Sequence, residues 1–333
     1  MSTDAGRGVE EMLAFLERRL LIRRVLTVAG LAALLVATYF GGQFIGVDLG
    51  ELLEQREVFF EYLQAYFNPD FVDFTTYSSD RGHDGWNGFF QSLANPVSIY
   101  ESLLEQDGIV GLSVTTIVIG FTGTVIGFPF ALLFGVLGSE RVVPFPFNFL
   151  FRGTMSTIRA IPALVWILIY VPLTSVSPVG AMLAIATDTV GNLGRLFTDE
   201  LEEIDDGPIE AIGSTGASRP QIVGFGMLSQ VSTSFIAWTL YILEINVRIA
   251  ISLGVYGAGG IGEYIELRTQ FREFEKVAAG IFMVILIVLT VELVSSRIRA
   301  RLRPGEHESK GLLESIRGLG DAGSWLGIGG RRD

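Results

Sequence analysis

Apolar positions in this chain fall in long unbroken runs separated by short charged stretches. Such runs lack both the alternation of a strand and the polar face of a soluble helix. Crossing a hydrocarbon layer of ~30 Å takes ~20 apolar residues at ~1.5 Å rise per residue. Six runs approach that length. Val25–Val47 carries no charge over 23 residues, and Gly108–Ser139 carries none over 32, long enough to include a tilted or re-entrant portion. The others cover about 150–173, including Arg152 and Arg159; about 178–197, including Asp188; Gln221–Leu243, uncharged; and about 276–296, with Glu292 near its end. The pattern predicts an all-α membrane protein, a polytopic bundle of about six transmembrane helices.

The first run is too long for the apolar region of a secretory leader and lacks a small-x-small cleavage site, so it reads as an uncleaved span. Arg18, Arg19, Arg23 and Arg24 precede it, and Arg297, Arg299, Arg301 and Arg303 follow the last run. The positive-inside rule then places both termini in the cytoplasm, which requires an even number of spans. The predicted organisation is a cytoplasmic segment 1–24, a first transmembrane helix 25–47, an extracytoplasmic segment 48–107, a core 108–300 with a cytoplasmic loop at 198–221, and a cytoplasmic tail 301–333. Asp48–Asp107 holds twelve Asp or Glu against two Arg, interleaved with Phe59, Phe60, Tyr62, Tyr66, Phe67, Phe71, Phe74, Trp86, Phe89 and Phe90. That mixture fits either interfacial helices on the outer leaflet or a small extracellular cap.

Composition narrows the function. A chain 49% hydrophobic and 18% charged, with mean hydropathy +0.47, is membrane material. The net charge of -12 excludes a positive face for nucleic acid. Only Lys276 and Lys310 are lysines among 24 basic residues, which together with the acid excess fits a high-salt organism. The absence of cysteine removes thiolate metal sites and disulfides, and His83 and His307 lie apart in polar stretches, so no metal site is expected. No Gly-x-x-x-x-Gly-Lys-Ser/Thr occurs, so the chain has no P-loop. Gly257, Gly259 and Gly262 match Gly-x-Gly-x-x-Gly, but between membrane spans rather than within a βαβ unit. With Gly260 they make four glycines in six residues, backbone freedom suited to a gate or hinge.

The predicted cytoplasmic loop reads DDGPIEAIGSTGASRPQ over 205–221. Asp205 or Asp206 can cap a helix whose first turn is set by Pro208, with Glu210 favourably placed in the helix dipole. Gly216 should interrupt it, and a second helix should lead into the span at Gln221. Glu210-Ala211-Ile212-x-x-x-Gly216 resembles the EAA loop of ABC-importer permeases, whose pattern is Glu-Ala-Ala, three residues, Gly, then a hydrophobic residue and Leu-Pro. Here Ile212 replaces the second Ala, Gly226 holds the later hydrophobic slot, and Leu228-Ser229 replaces Leu-Pro. The longer strings RAIPALVWILIYV (159–171), TGASRPQIV (215–223), LYILEINVRIA (240–250) and GVYGAGGIGEYI (254–265) resemble the phosphonate-transport permease subunit, the PhnE-type family, over roughly residues 108–300.

The resemblance implies a type I importer permease with the MetI-like fold. It implies a second permease copy as a homodimer, two ABC ATPase subunits that bind the ATP and Mg, an extracytoplasmic phosphonate-binding protein, and no cofactor on this chain. Pro208, Glu210, Ala211, Gly216 and Ala217 would couple to the ATPase, as a short helix seated in its groove. The implied solute is phosphonate or a related phosphorus oxyanion, with phosphate, phosphite or methionine as alternatives; a membrane-embedded enzyme or a sensor or scaffold is the rival class.

An ionisable group at mid-membrane costs ~2.5–3.5 kcal/mol on insertion scales, so each should be paired or face water. Arg159 and Asp188 sit at similar depth in neighbouring runs, where they either pair as a structural bridge or leave Arg159 to meet an anion or snorkel to the interface. Glu244 and Arg248 are expected at the outer end of the fifth span, one turn apart, and can pair locally or present Arg248 to an oxyanion. Glu292 is expected to pair with Arg297 or a neighbour. Gly120, Gly123 and Gly127 predict close packing within the protomer, and Pro129 and Pro162 predict kinks.

Overall fold

A computed structural model describes residues 3–302, with side chains from Arg18 onward apart from Leu49 and Leu52. The expectations for the tail beyond Leu302 lie outside the described residues. Every regular element among the described residues is helical. The chain divides into two compact units between Leu63 and Gln64.

The first unit holds α1 (Thr3–Phe44), α2 (Leu49–Glu54) and most of α3 (Arg56–Ala65). The apolar stretch Arg18–Phe44 is exposed throughout, as a helix solvated by lipid requires. Asp48 ends the linker by accepting a hydrogen bond from the Gly50 N–H at 2.7 Å, an N-cap for α2.

The second unit contains α4 (Thr76–Arg81), α5 (Gly85–Ala94), α6 (Pro96–Glu105), α7 (Gly108–Gly138), α8 (Phe147–Ala160), α9 (Ala163–Thr174), α10 (Pro178–Glu202), α11 (Asp206–Gly213), α12 (Arg219–Gln221), α13 (Leu228–Leu253), α14 (Gly260–Gln270) and α15 (Phe274–Leu302). Its pillar is the pair α7 and α10. Glycines on α7 let the backbones touch: a Cβ at Gly127 would lie 2.6 Å from the Ala186 carbonyl, and one at Gly135 would lie 2.8 Å from that of Gly194. Gly123 faces Ile185 of α10 and Gly120 faces Val247 of α13, so the predicted seam packs inside the protomer. Ala181, Ala184, Ile185, Leu193, Phe197 and Leu201 bury α10 along its length.

Among the described residues, four helices are long and apolar enough to cross a membrane, and five if the bent pair α8–α9 counts as one span. By length and composition alone that is fewer than the about six expected, and the difference lies at two places. The third run breaks at Ile161–Pro162, where α8 and α9 diverge by 92°; proline lacks the N–H a continuous helix needs there. The fourth run becomes α10, 25 residues long but carrying Asp188, Arg195, Asp199, Glu200 and Glu202, polar content tolerated because neighbouring helices surround it. The second run is a single 31-residue α-helix through Pro129.

The second half of segment 48–107 is a cap rather than a set of helices lying free on lipid. Phe71 is fully buried, its ring 5.6 Å from that of Phe282 on α15, and Phe74 and Phe89 pack beside it at ring separations of 5.9 and 5.2 Å. Together with Ile109, Ile261 and Tyr264 these rings close one end of the bundle. Aromatic burial of this kind contributes about 1.5–3 kcal/mol per side chain, which outweighs an interfacial position.

Candidate functional site

The loop after α10 builds the surface expected to couple. Asp205 caps α11 with extended backbone, without a side-chain hydrogen bond, and the helix ends at Gly213. Gly216 takes φ +80°, a conformation that favours glycine, and turns the chain toward α12. From Arg219 the chain runs helically through α13 to Leu253, with a π-helical stretch at Ile222–Met227. Ile209 and Ile212 pack inward, whereas Pro208, Glu210, Ala211 and Gly216 are exposed; Ala217 is half-buried. Gly226, the departure from the EAA pattern, has a physical reason: a Cβ there would meet Ile212 Cδ1 at 3.3 Å, where α11 rests on the following helix. An open cleft of about 670 Å³ beside α11 is lined by Arg141, Asp206, Ile209, Arg219, Val223 and Met227 among others.

Salt bridges tie this surface to the bundle, and the sequence reading missed them. Arg141, in the α7–α8 loop, reaches Asp206 at 2.6 Å. Arg152 of α8 pairs with Glu202 at the end of α10 and donates to the Gly138 carbonyl at 2.7 Å. Charge content flagged these residues, but nothing in their spacing named their partners.

The charges within the spans pair differently from expectation. Arg159 and Asp188 are joined through a third residue: Arg159 Nε donates to Asn192 Oδ1 at 3.2 Å, and Asn192 Nδ2 donates to Asp188 Oδ2 at 2.9 Å. Glu244 and Arg248 do not pair with each other. Glu244, 7% exposed, accepts from Arg299 of α15 at 2.6 Å, and Arg248 faces Glu292 of α15 at 3.7 Å. Glu292 thus finds Arg248 rather than Arg297. The cause is the antiparallel crossing of α13 and α15, which offers each side chain a closer partner than its own helix does. Their depth also needs correction. Asn246, between them in sequence, donates to Thr124 of α7 and Thr189 of α10 at 2.8 Å each. Thr124 lies beside the midpoint of α7, so Arg248 is level with the middle of that helix, while Glu244 reaches Arg299 close to the end of α15.

The glycine string forms a tight reversal between α13 and α14. Gly257, Gly259 and Gly260 take φ of +85°, +86° and +77°. Gly262 lets the helices touch, since a Cβ there would clash with the Ile251 carbonyl, and the Ile261 N–H donates to Thr116 Oγ1 at 2.9 Å. Beyond the turn, Asp73 of the cap gathers Arg268 at 2.8 Å, the Tyr264 hydroxyl at 3.1 Å and Lys276 at 3.8 Å. Burial, then the Asp73 carboxylate, push the Tyr264 phenol up, so it stays a donor. Burial pushes the Glu273 carboxyl up, but hydrogen bonds from Arg268 and Lys276 outweigh that and hold it below its ordinary value. Among the described residues no group of three or more acidic or imidazole side chains has the arrangement of a metal site.

The chain is 31% identical over 215 residues to HtxC of Stutzerimonas stutzeri, a permease protein assigned to a phosphite transport system, covering 64% of this chain and 74% of HtxC. It belongs to the phosphonate- and phosphite-transport permease family. The permease is also 31% identical over 188 residues to the phosphate-import permease protein PhnE of Mycolicibacterium smegmatis, covering 56% of the chain and 35% of that relative. It is 36% identical over 118 residues to PhnE2 of Escherichia coli (strain K12), a permease protein assigned to a cryptic phosphonate transport system, covering 35% of the chain and 97% of PhnE2. Among solved structures, an inward-facing form of the MetNI methionine ABC transporter aligns with TM-score 0.50 at 22% identity, over 57% of this chain and 92% of that one. That likeness gives the fold, a MetI-type permease bundle. No family model matches. The permease is the membrane component of a transport system, as its relatives are, and a multi-pass membrane protein.

Proposed function

We propose that the permease carries a phosphorus oxyanion (phosphonate, or its phosphite and phosphate relatives) inward across the cell membrane. It works as a homodimer with two ABC ATPase subunits, which bind ATP and Mg, and an extracytoplasmic phosphonate-binding protein; this chain needs no cofactor of its own. Both termini are cytoplasmic, following the arginine-rich flanks of the first and last apolar helices. The observation that carries the reading is α11: a short helix whose Ile209 and Ile212 pack on the bundle while Pro208, Glu210 and Ala211 face out. A helix held on one face and bare on the other suits a lever seated in a second protein, which moves as a body when the ATPases close. The glycines at Gly257, Gly259, Gly260 and Gly262 serve as the hinge at the opposite end of α13. Arg159, Asp188, Glu244 and Arg248 are the candidate polar groups of the path, and a guanidinium at mid-bundle favours an anion over zwitterionic methionine.

The test is co-reconstitution with the ATPase and binding protein in vesicles. Glu210→Lys reverses charge on the bare face, and Gly216→Leu forces a φ of +80° on a branched side chain. Both variants should insert normally yet lose solute-stimulated ATP hydrolysis and uptake by tenfold or more. Unchanged stimulation and uptake in both would remove the coupling role.

A further inference from the structure

The outward faces of the long helices differ in kind. On α7 the exposed side chains include Val114, Val118, Phe121 and Val125, and on α15 they include Ile285, Leu286 and Leu289. Those faces suit lipid tails. The upper half of α13 instead exposes Tyr241, Arg248 and Ser252, with Tyr256 just past its end. Steps of seven and four residues put the first three on one side of the helix. The Arg248 and Glu292 side chains are 46% and 53% exposed, at the depth of the bundle midpoint. A half-exposed ion pair at that depth is not tolerated against hydrocarbon, so the face must meet water or protein.

The two ion pairs across α13 and α15 also differ. Arg299 and Glu244 make a hydrogen-bonded bridge at 2.6 Å with the carboxylate buried. Arg248 and Glu292 stand 3.7 Å apart, beyond hydrogen-bond length, and no hydrogen bond from the Arg248 guanidinium is recorded among the described residues. Arg248 therefore keeps its planar fork of donors uncommitted, with a carboxylate nearby that neutralises it without saturating it.

We infer that Arg248 is an oxyanion station on the water-lined face of α13, and that Glu292 is a specificity-determining latch whose carboxylate the passing solute displaces. A tetrahedral oxyanion matches the guanidinium in two hydrogen bonds, which a carboxylate held at 3.7 Å does not make. The Tyr241 phenol lies on the same face, and the Ser252 hydroxyl, one turn away, donates to the Arg248 backbone carbonyl at 3.3 Å and so leaves the guanidinium itself free. Glu292 sets a threshold: a neutral or zwitterionic solute gains too little at Arg248 to displace it, and a dianion gains most. This rests on the phosphorus-oxyanion reading above.

The experiment uses the full transporter, reconstituted with its ATPase and binding protein, and measures solute taken up per ATP hydrolysed for phosphite, methylphosphonate and L-methionine. R248Q should lose oxyanion uptake by tenfold or more while ATP hydrolysis is still stimulated. E292Q should keep or raise it, and the double variant R248Q/E292Q should follow R248Q. A merely structural pair gives another order, with E292Q as defective as R248Q and the double variant restored; that order overturns the station. The chain contains no cysteine, so Ser252→Cys and Val118→Cys provide a second readout. A membrane-impermeant thiol reagent should label Cys at 252, more slowly with phosphite present, and leave 118 unlabelled. Equal labelling of the two, or none at 252, sinks the water-lined face. A wild-type transporter that takes up L-methionine and neither oxyanion refutes the solute class and the latch together. Phosphite uptake by wild type with the double variant equal to it refutes the station and the latch while leaving the solute class standing.

Discussion

Adding one methyl group at Gly127 should loosen the pillar of the bundle, and adding the same group at Gly153 should not. The Cβ of Gly127→Ala would fall 2.6 Å from the Ala186 carbonyl oxygen and 2.7 Å from Thr189 Cβ. Ordinary van der Waals contact begins near 3.4 Å, so α7 and α10 must part by about 0.8 Å locally. Neither obstacle is the tip of a flexible side chain, and both belong to a helix packed against α7, α8, α9 and α13. Overpacking of this kind costs about 1–3 kcal/mol, whereas the helix-propensity gain of Ala over Gly is at most ~1 kcal/mol. Sterics win, leaving a net loss of about 1–2 kcal/mol. Gly153 of α8 has nothing within 4 Å of a Cβ, so Gly153→Ala keeps only the favourable part, about 0.5–1 kcal/mol. The purified variants would be heated in detergent and the surviving monodisperse fraction followed by size-exclusion chromatography. The expected midpoints rank Gly127→Ala below wild type and Gly153→Ala at or above it. A Gly127→Ala protein as heat-resistant as wild type would refute the claim that the α7–α10 seam is closed by missing side chains.

Two further outcomes follow from the ion pairs. Arg299→Ala strips the partner from the buried Glu244 carboxylate and should destabilise by about 3–5 kcal/mol, while Glu244→Gln, which removes the charge, should cost clearly less; equal losses in the two thermal profiles would contradict the pairing. The depressed Glu273 carboxyl stabilises the fold at pH above its ordinary value of 4.5 and loses that contribution as pH falls through the lower folded value. Glu273→Gln should therefore flatten the fall in melting temperature below about pH 4.5, and an unchanged acid limb in the variant would rule out that link between α14 and α15.

The extent of the second run, the break at Pro162, the glycine seam on α7 and the turn at Gly216 were legible in the sequence, because each is decided by local chemistry. A proline without an N–H and a glycine at positive φ act where they stand. Partnerships were not legible. Glu244 and Arg248 have the i, i+4 spacing of a local pair, yet each turns to α15, because the crossing of two helices is a tertiary fact that no spacing encodes. Asn192 between Arg159 and Asp188 escaped notice for the same reason: an uncharged relay leaves no mark in a charge pattern. The acidic, aromatic segment was ambiguous in a different way. The same rings suit a lipid interface or a packed cap, and only the meeting of Phe71 with Phe282, far along the chain, decides between them.

The salt bridges at the α11 end bear on how a stroke could spread. Were α11 fixed only to the π-helical stretch Ile222–Met227 that leads into α13, through Ile209 and Ile212, a push on it would load one helix and tilt it against the rest. Arg141–Asp206 fastens the start of α11 to the loop joining α7 and α8, and Arg152–Glu202 fastens α8 to the end of α10. The helices that meet at this end are thus linked before the push arrives. Close packing of α7 on α10 through glycine leaves little slack for either to move alone. On the proposed coupling role, displacement of α11 would be shared by α7, α8, α10 and α13 as one body, and compliance would be left to the positions where the backbone already departs from a helix: the α8–α9 break and the glycine reversal after α13.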